Sequence, residues 1–153
     1  MIDFIGAARD AIAALPQGQR LIGLDLGDTT IGIATSDATL AIATPRMTIE
    51  RTKFQADAKA LLAFTATEDI GLIVMGLPLN MDGSEGPRCQ STRAFVRNLE
   101  KLTSLPLIYW DERLSTVAVT RTMLEADMSR AKREKNVDKL AAAFILQGVL
   151  DLR

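Results

Sequence analysis

Short apolar runs, each ended by turn-forming residues, are the clearest pattern along the chain. Residues 21–26 form one such run, Gly27 and Asp28 follow it, and residues 31–36 then alternate apolar with polar side chains, which predicts a hairpin. Residues 41–49 predict a third strand. Because short turns join these three strands, we expect them to be antiparallel neighbours in one sheet.

Helices alternate with strands in the rest of the chain, and one helix precedes the hairpin. Apolar residues recur at helical spacing in five segments: residues 4–15, 54–67, 88–102, 115–125 and 137–150. Two short apolar runs predict buried strands: residues 71–76 and 107–111. Strands that are reached through helices should lie parallel, with right-handed crossovers. The predicted fold is therefore an α/β fold, a mixed five-stranded sheet with three antiparallel strands and then two parallel ones, flanked by helices.

The whole chain has the size and composition of one globular domain. Its 153 residues are 48% hydrophobic and 24% charged, which excludes a disordered or fibrous protein. We expect a single domain over residues 1–153, with residues 1–18 as an N-terminal helical extension. No segment has the unbroken apolar core of a signal peptide or the roughly 18 apolar residues of a membrane span, so we expect a cytoplasmic protein without a membrane partner.

Composition also restricts the chemistry. The chain contains no histidine, which excludes a Ser-His-Asp triad and a Cys-His pair, and with Cys89 as the one cysteine it cannot build a usual zinc site or an internal disulfide. Any catalytic metal must therefore have carboxylate ligands, which suits magnesium or manganese. The net charge of −1 means that nucleic-acid binding would depend on local basic patches.

Asp25 stands inside the apolar run of the first predicted strand. An ionised carboxylate in such a strand would cost several kcal/mol unless it had a partner. One interpretation is that Asp25 caps the turn that Gly27 and Asp28 form. The other is that it binds a metal at the end of the strand.

A second acidic segment lies where the last predicted strand ends. Asp111 and Glu112 are adjacent, and Arg113 follows them. Because side chains alternate along a strand, one carboxylate should face the side of the sheet that binds ligands, and the other should pack away or pair with Arg113. A simple surface ion pair with Arg113 is the alternative.

Asp138 lies in the first turn of the last predicted helix, where the helix dipole alone would favour an acidic residue by about 0.3–1 kcal/mol. It also shares one face of that helix with Ala142 and Ile145, and this apolar face must meet the sheet. Its carboxylate would then point inward. Asp25, Glu112 and Asp138 could thus converge and bind a divalent cation that orients and polarises a phosphate.

Basic residues and one loop surround these carboxylates in the sequence. The loop over residues 77–87 is either a plain connection or a phosphate contact through its backbone amides and the helix that follows. Arg93 and Arg97 share a helical face but are typical of solvated arginines. A basic connector over residues 128–135 precedes Asp138 and is either solvated or binds phosphates. The candidate nucleic-acid-binding residues are Arg88, Arg113, Arg130, Lys132 and Arg133.

Five segments taken together are specific for one family: residues 23–27, 31–37, 76–85, 111–116 and 138–146. In these segments the chain resembles the YqgF (RuvX) family, whose members are similar to Holliday junction resolvases and are described as nucleases that mature precursor small-subunit ribosomal RNA. The resemblance covers about residues 20–150 as a family core. It implies a ribonuclease H-like fold with catalytic and metal-binding carboxylates at Asp25, Glu112 and Asp138. The N-terminal helix departs from the family pattern.

The function that this resemblance implies is metal-dependent cleavage, endo- or exonucleolytic, of the 5′ end of precursor 16S ribosomal RNA, with Mg²⁺ or Mn²⁺ as cofactor. Precursor ribosomal RNA would be the partner, with branched DNA as the alternative and contact with a ribosomal particle. Three other functions stay open. They are a Holliday junction resolvase-like DNA nuclease, a non-catalytic RNA-binding ribosome-assembly factor, and a phosphotransferase of the actin and sugar-kinase type, which residues 25–30 also resemble but which needs two such domains.

Overall fold

A mixed five-stranded sheet forms the centre of the structure, a computed structural model that describes residues 2–114 and 130–153, with side chains for residues 2–114 and 137–153. The strands are β1 (Arg20–Leu26), β2 (Thr30–Ser36), β3 (Ala43–Glu50), β4 (Ile70–Leu77) and β5 (Leu107–Asp111). Their order across the sheet is β3-β2-β1-β4-β5. Strands β1, β2 and β3 pair antiparallel, whereas β4 runs parallel to β1 and β5 parallel to β4. The predicted mixed sheet is confirmed.

The helices occupy the predicted segments with one difference. They are α1 (Phe4–Ala13), α2 (Phe54–Thr67), α3 (Pro87–Glu100) and α4 (Arg130–Leu150), and a 3₁₀ turn spans Glu112–Leu114. The predicted helix over residues 115–125 lies outside the described residues. Within the described ranges, no helix combines the length and apolarity needed to cross a membrane.

The difference concerns the start of the last helix. Helix α4 begins at Arg130, so the prediction that residues 128–135 form a connector is wrong for residues 130–135. Alanine, lysine, arginine and glutamate fill this stretch, and their helix propensity extends α4 although the stretch lacks an apolar pattern. Asp138 consequently lies beyond the first turn, and the helix dipole does not account for it.

Side chains alternate across the sheet and form two hydrophobic clusters. On one face, Leu21 and Val74 belong to a cluster with Ile145 of α4. On the other face, Ile22 belongs to a cluster with Phe95 of α3 and with residues of α2. Helix α4 therefore covers one face of the sheet, and α2 and α3 cover the other.

The N-terminal extension packs on the α4 side of the sheet. Ala8 of α1 is fully buried, and Phe4 and Ile12 pack against the same cluster as α4. Asp3 accepts a hydrogen bond from the backbone N–H of Gly6 at 2.9 Å and so caps the start of the helix. Helix α1 thus completes the cover over this part of the core.

Candidate active site

Asp25 is almost fully buried, with 1% of its surface exposed, and it lies towards the end of β1 on the face that α4 covers. In the pairing of β1 with β2, Asp25 is opposite Gly32. On its other side, Leu24 pairs with Met75 of β4, so Gly76 lies level with Asp25. Both strand neighbours of this carboxylate are therefore glycines.

Around Asp25, glycines occupy the face of the sheet that α4 covers. Alternation puts two more glycines of β1 and its turn on this face, and the full set is Gly23, Gly27, Gly32 and Gly76. A Cβ on Gly23 would stand 2.8 Å from the carbonyl oxygen of Ala142 in α4. Because glycine has no side chain, the backbone of α4 lies directly on the sheet beside Asp25.

Asp138 enters the site from α4. One of its carboxylate oxygens, Oδ2, lies 3.1 Å from the position that a Cβ of Gly27 would occupy, and its backbone lies against Gly32. The Thr30 hydroxyl donates a hydrogen bond to the same carboxylate oxygen. Since Gly32 is the pairing partner of Asp25, the fold brings Asp138 to the edge of the sheet where Asp25 lies.

Glu112 reaches the same face from the end of β5. Its Oε1 atom lies 3.0 Å from the position that a Cβ of Gly76 would occupy. Gly76 also meets Ile145 of α4, which confirms that this is the α4 side of the sheet. Glu112 and Asp138 therefore approach Asp25 from opposite sides, over glycines that are its neighbours in the sheet.

Asp111 points away from this site. It is 3% exposed and accepts hydrogen bonds from three nitrogens of Arg113, the backbone N at 2.9 Å, Nε at 3.1 Å and Nη2 at 2.8 Å. The bonds from the guanidinium raise the pKa of Arg113. The expectation that the two adjacent carboxylates diverge is confirmed, and Asp111 is the one that pairs with arginine.

Arg113 also joins the strand end to the loop before α3. Its Nη1 donates to the carbonyl oxygen of Met81 at 3.2 Å. Asp82 in the same loop has a lowered pKa, first because Ser84 donates hydrogen bonds to it and further because of the charge of Arg113. The guanidinium of Arg113 thus has protein partners, and its binding to nucleic acid stays a prediction.

The structure describes the side chains of some of the other predicted basic residues and not of others. Arg88 is exposed at the start of α3, whose N-cap residue Gly86 provides no side-chain cap. Arg93 is engaged by Glu85 and lies over the ring of Tyr109 at 5.0 Å, so it does not present a free charge. The side chains of three predicted basic residues lie outside the described part of the chain: Arg130, Lys132 and Arg133.

Thr30 is the residue of this site that the sequence pattern does not predict. It is 5% exposed and starts β2, two residues before Gly32 and hence on the same face. Alternation along β2 indicates that Thr30 lies on this face. It does not indicate the contact of Thr30 with Asp138, which joins positions 108 residues apart. A contact of this range depends on the packing of α4 and has no local signature.

The donor atoms at this site suit a hard divalent cation. The three carboxylates supply oxygen ligands only, which is the donor set that Mg²⁺ and Mn²⁺ prefer. Among the described side chains, no group of three or more acidic or cysteine residues is gathered closely enough to hold a metal ion by itself. Mg²⁺ usually needs only one or two protein carboxylates, since water and substrate phosphates complete its shell. The residues present therefore fit a metal that binds together with a phosphate.

Comparison with known proteins gives strong matches along the sequence. A family model described as "RuvX: Holliday junction resolvase" matches residues 19–152. A protein of Rhizobium etli named "Putative pre-16S rRNA nuclease" is 60% identical over 139 residues, which are 91% of this chain and 85% of that protein. A protein of Paramagnetospirillum magneticum with the same name is 58% identical over 147 residues, 96% of this chain and 95% of that protein.

Solved structures give matches in fold. Thermus thermophilus RuvC in complex with a Holliday junction substrate superposes with a TM-score of 0.53 at 9% identity, over 86% of this chain and 93% of that chain. The yeast mitochondrial Holliday junction resolvase superposes with a TM-score of 0.50 at 12% identity, over 96% of this chain and 84% of that chain. These likenesses confirm the predicted ribonuclease H-like fold. Because the family model matches most of the chain and relatives are about 60% identical, this chain belongs to the RuvX family of nucleases.

Proposed function

We propose that the protein is a metal-dependent nuclease that processes precursor 16S ribosomal RNA, with Asp25, Glu112 and Asp138 as its catalytic carboxylates. The observation that carries this proposal is the approach of Glu112 and Asp138 to Asp25 over Gly76, Gly27 and Gly32. Among the described residues, no other group of acidic side chains is placed in this way at the ends of the central strands.

Charge explains why such a site needs a cation. Three carboxylates on one face repel each other, and a phosphodiester adds a further negative charge. Asp25, Glu112 and Asp138 would hold the metal together with water and the substrate phosphate. A bound Mg²⁺ or Mn²⁺ would neutralise these charges, polarise the phosphate and activate water.

The protein's own residues position the substrate. The Gly-lined face keeps α4 close to β1, and the buried position of Asp25 excludes water from one side of the site. Arg88 at the open start of α3, Arg113, and the basic residues at the start of α4 would contact the nucleic-acid backbone. Because these are few and the net charge is −1, we expect binding that weakens only modestly with salt and depends on backbone shape.

The names of the relatives support precursor 16S ribosomal RNA as the substrate. Such a substrate would place the protein in the cytoplasm and in contact with an assembling ribosomal particle. Branched DNA is the second candidate, and the description of the family model favours it. A protein that binds precursor RNA without cleaving it is the non-catalytic alternative.

Cleavage assays separate these functions. Labelled precursor RNA that spans the 5′ end of 16S ribosomal RNA, and a four-way DNA junction, would each be incubated with Mg²⁺ or Mn²⁺. We expect the wild type to cut the RNA and Asp25→Asn to lose cleavage. The matched control is Asp28→Asn, an exposed residue of the adjoining turn, which should cut normally.

The outcomes distinguish the candidates. Junction cleavage without RNA cleavage would reassign the substrate to branched DNA. Tight RNA binding with no cleavage under either metal would replace the nuclease by an assembly factor. Equal loss of cleavage in Asp25→Asn and Asp28→Asn would contradict the specific role of Asp25.

A further inference from the structure

The turn between β1 and β2 is held at several points by hydrogen bonds. The Gly27 N–H donates to the carbonyl oxygen of Thr30 at 2.8 Å, which closes the turn. Arg51, just beyond β3, holds it from outside, since its backbone N–H donates to Thr29 at 2.8 Å and its Nη1 donates to the carbonyl oxygen of Gly27 at 2.7 Å. The backbone of Thr30 therefore starts from a fixed position.

The side chain of Thr30 is also restricted. It is buried on the α4 side of the sheet, and a β-branched side chain has few χ1 rotamers on a strand. Its hydroxyl donates to Oδ2 of Asp138. A hydroxyl has a single hydrogen to donate, so this bond commits the donor of Thr30 to Asp138.

Asp138 is thus held through its backbone and through its side chain. Its backbone is seated on Gly32, where no side chain intervenes, and one carboxylate oxygen is bound by Thr30. Fixing the backbone and one oxygen sets the rotation of the whole carboxylate. In metal sites, partners that orient a ligand in this way raise metal affinity because the ligand loses less freedom on binding.

We propose that Thr30 is a positioning residue of the proposed metal site: its hydroxyl orients the carboxylate of Asp138 for a divalent cation, and Arg51 holds the turn that carries it. This inference rests on the proposed function, because Asp138 is taken there as a metal ligand. Thr30 itself touches neither the metal nor the phosphate. It acts through Asp138.

Two substitutions at one position isolate the hydroxyl. Thr30→Val keeps the shape of the side chain and removes the donor, whereas Thr30→Ser keeps the donor. Mn²⁺ affinity would be measured directly on the full chain, by calorimetry or electron paramagnetic resonance, without substrate. We expect Thr30→Val to weaken Mn²⁺ binding by about tenfold and Thr30→Ser to restore most of it, as for other residues that orient metal ligands.

Cleavage gives a second readout. In Thr30→Val, kcat should fall at a fixed low Mn²⁺ concentration and recover at a high one, while KM for RNA should stay unchanged. A merely structural role would not give rescue by serine or by metal. Thermal unfolding would check that both variants are folded, and Thr30→Ala would replace Thr30→Val if the valine variant does not fold.

The results separate this inference from the proposed function. Wild-type affinity for Mn²⁺ in Thr30→Val, or equal losses in Thr30→Val and Thr30→Ser, would overturn the role of the hydroxyl even if the RNA is cut. A wild type that binds Mn²⁺ in a Thr30-dependent way but cuts neither substrate would leave the inference standing and overturn the nuclease. Unchanged Mn²⁺ binding in Asp138→Asn would overturn both assignments to this carboxylate.

Discussion

Gly32 of β2 and Asp138 of α4 meet backbone to backbone. A Cβ on Gly32 would collide with the carbonyl group of Asp138 and would stand 2.8 Å from the backbone nitrogen of Lys139. The strand thus supports the helix at the residue that carries a site carboxylate. Because Gly32 pairs with Asp25, the same contact sets the separation of two of the three carboxylates.

Gly32→Ala should destabilise the protein and abolish cleavage. The added methyl group meets helix backbone, which cannot move aside as a flexible side chain would, so α4 must shift away from the sheet. We expect the free energy of unfolding to fall by about 3 kcal/mol, the upper end of the usual range for overpacking. Urea unfolding followed by the fluorescence of Trp110, the one tryptophan, would measure it.

Gly86→Ala is the matched control for that substitution. A Cβ on Gly86 would lie 3.4 Å from the side chain of Asn80, an ordinary contact, and Gly86 is the N-cap of α3. The expected loss is below about 1 kcal/mol. Similar losses of stability in the two variants would mean that the close contact of α4 with Gly32 does not explain the loss in Gly32→Ala.

Glu112→Gln should mainly lower catalytic activity, whereas Asp111→Asn should mainly lower stability. Glu112→Gln removes a proposed metal ligand and should lower kcat about a hundredfold or more, with little change in stability. Asp111→Asn weakens the hydrogen bonds with Arg113 and should lower the free energy of unfolding, while cleavage persists. Cleavage assays and urea unfolding on both variants would test this. A catalytic loss in Asp111→Asn alone would reverse the two roles.

The arrangement of these two carboxylates could be predicted from the sequence because it depends on local geometry. Alternation along β5 turns Asp111, its last residue, away from the face that α4 covers, and Glu112, the next residue, reaches that face, so a strand pattern is enough to predict that the two diverge. The same holds for Asp25, which an apolar strand carries into the core. The strands themselves were predicted because their apolar runs are short and are ended by turn residues.

The remainder of the site depends on packing between distant segments. No pattern within β2 indicates that Thr30 meets Asp138, since only the docking of α4 on Gly32 brings the two together. The early start of α4 was missed for another reason. Residues 130–135 are good helix formers without an apolar face, and periodicity of apolar residues cannot detect such a stretch.

Cys89 should be unreactive in the folded protein. It is fully buried in α3, and burial, with the nearby carboxylate of Glu85, raises the pKa of its thiol to about 11. At pH 8 only about one thiol in a thousand would then be ionised, and the thiolate is the reactive form. We expect iodoacetamide to label the protein in urea but not in buffer, as mass spectrometry would detect.

A cysteine on the exposed side of the same helix provides the control. In Cys89→Ala with Ser91→Cys, the new thiol is at an exposed position and should be labelled in buffer. Cys89→Ala alone should keep full cleavage activity, because the thiol has no part in the proposed chemistry. Rapid labelling of Cys89 in the folded wild type would show that this part of α3 opens readily.

The ion pair between Glu85 and Arg93 should make stability depend on pH. Arg93 donates to both carboxylate oxygens of Glu85, from Nε at 2.5 Å and from Nη2 at 2.9 Å, and this lowers the pKa of Glu85. A carboxyl with a lowered pKa in the folded state stabilises the protein fully above its ordinary pKa of 4.5, and that contribution is lost as the pH falls through the lower value. The pair joins the loop before α3 to the helix, so the loop should loosen in acid.

Glu85→Gln tests this directly through urea unfolding at pH 6 and at pH 3. The variant should be less stable than the wild type at pH 6, and the difference should shrink at pH 3, which lies below the ordinary pKa of 4.5 that Glu85 has in the unfolded chain. Added salt should also shrink the difference at pH 6, because the pair is near the surface. Glu100→Gln, an exposed glutamate at the other end of α3, is the control and should show neither trend. A difference between Glu85→Gln and wild type that is the same at both pH values would mean that the glutamate contributes through packing and not through its charge.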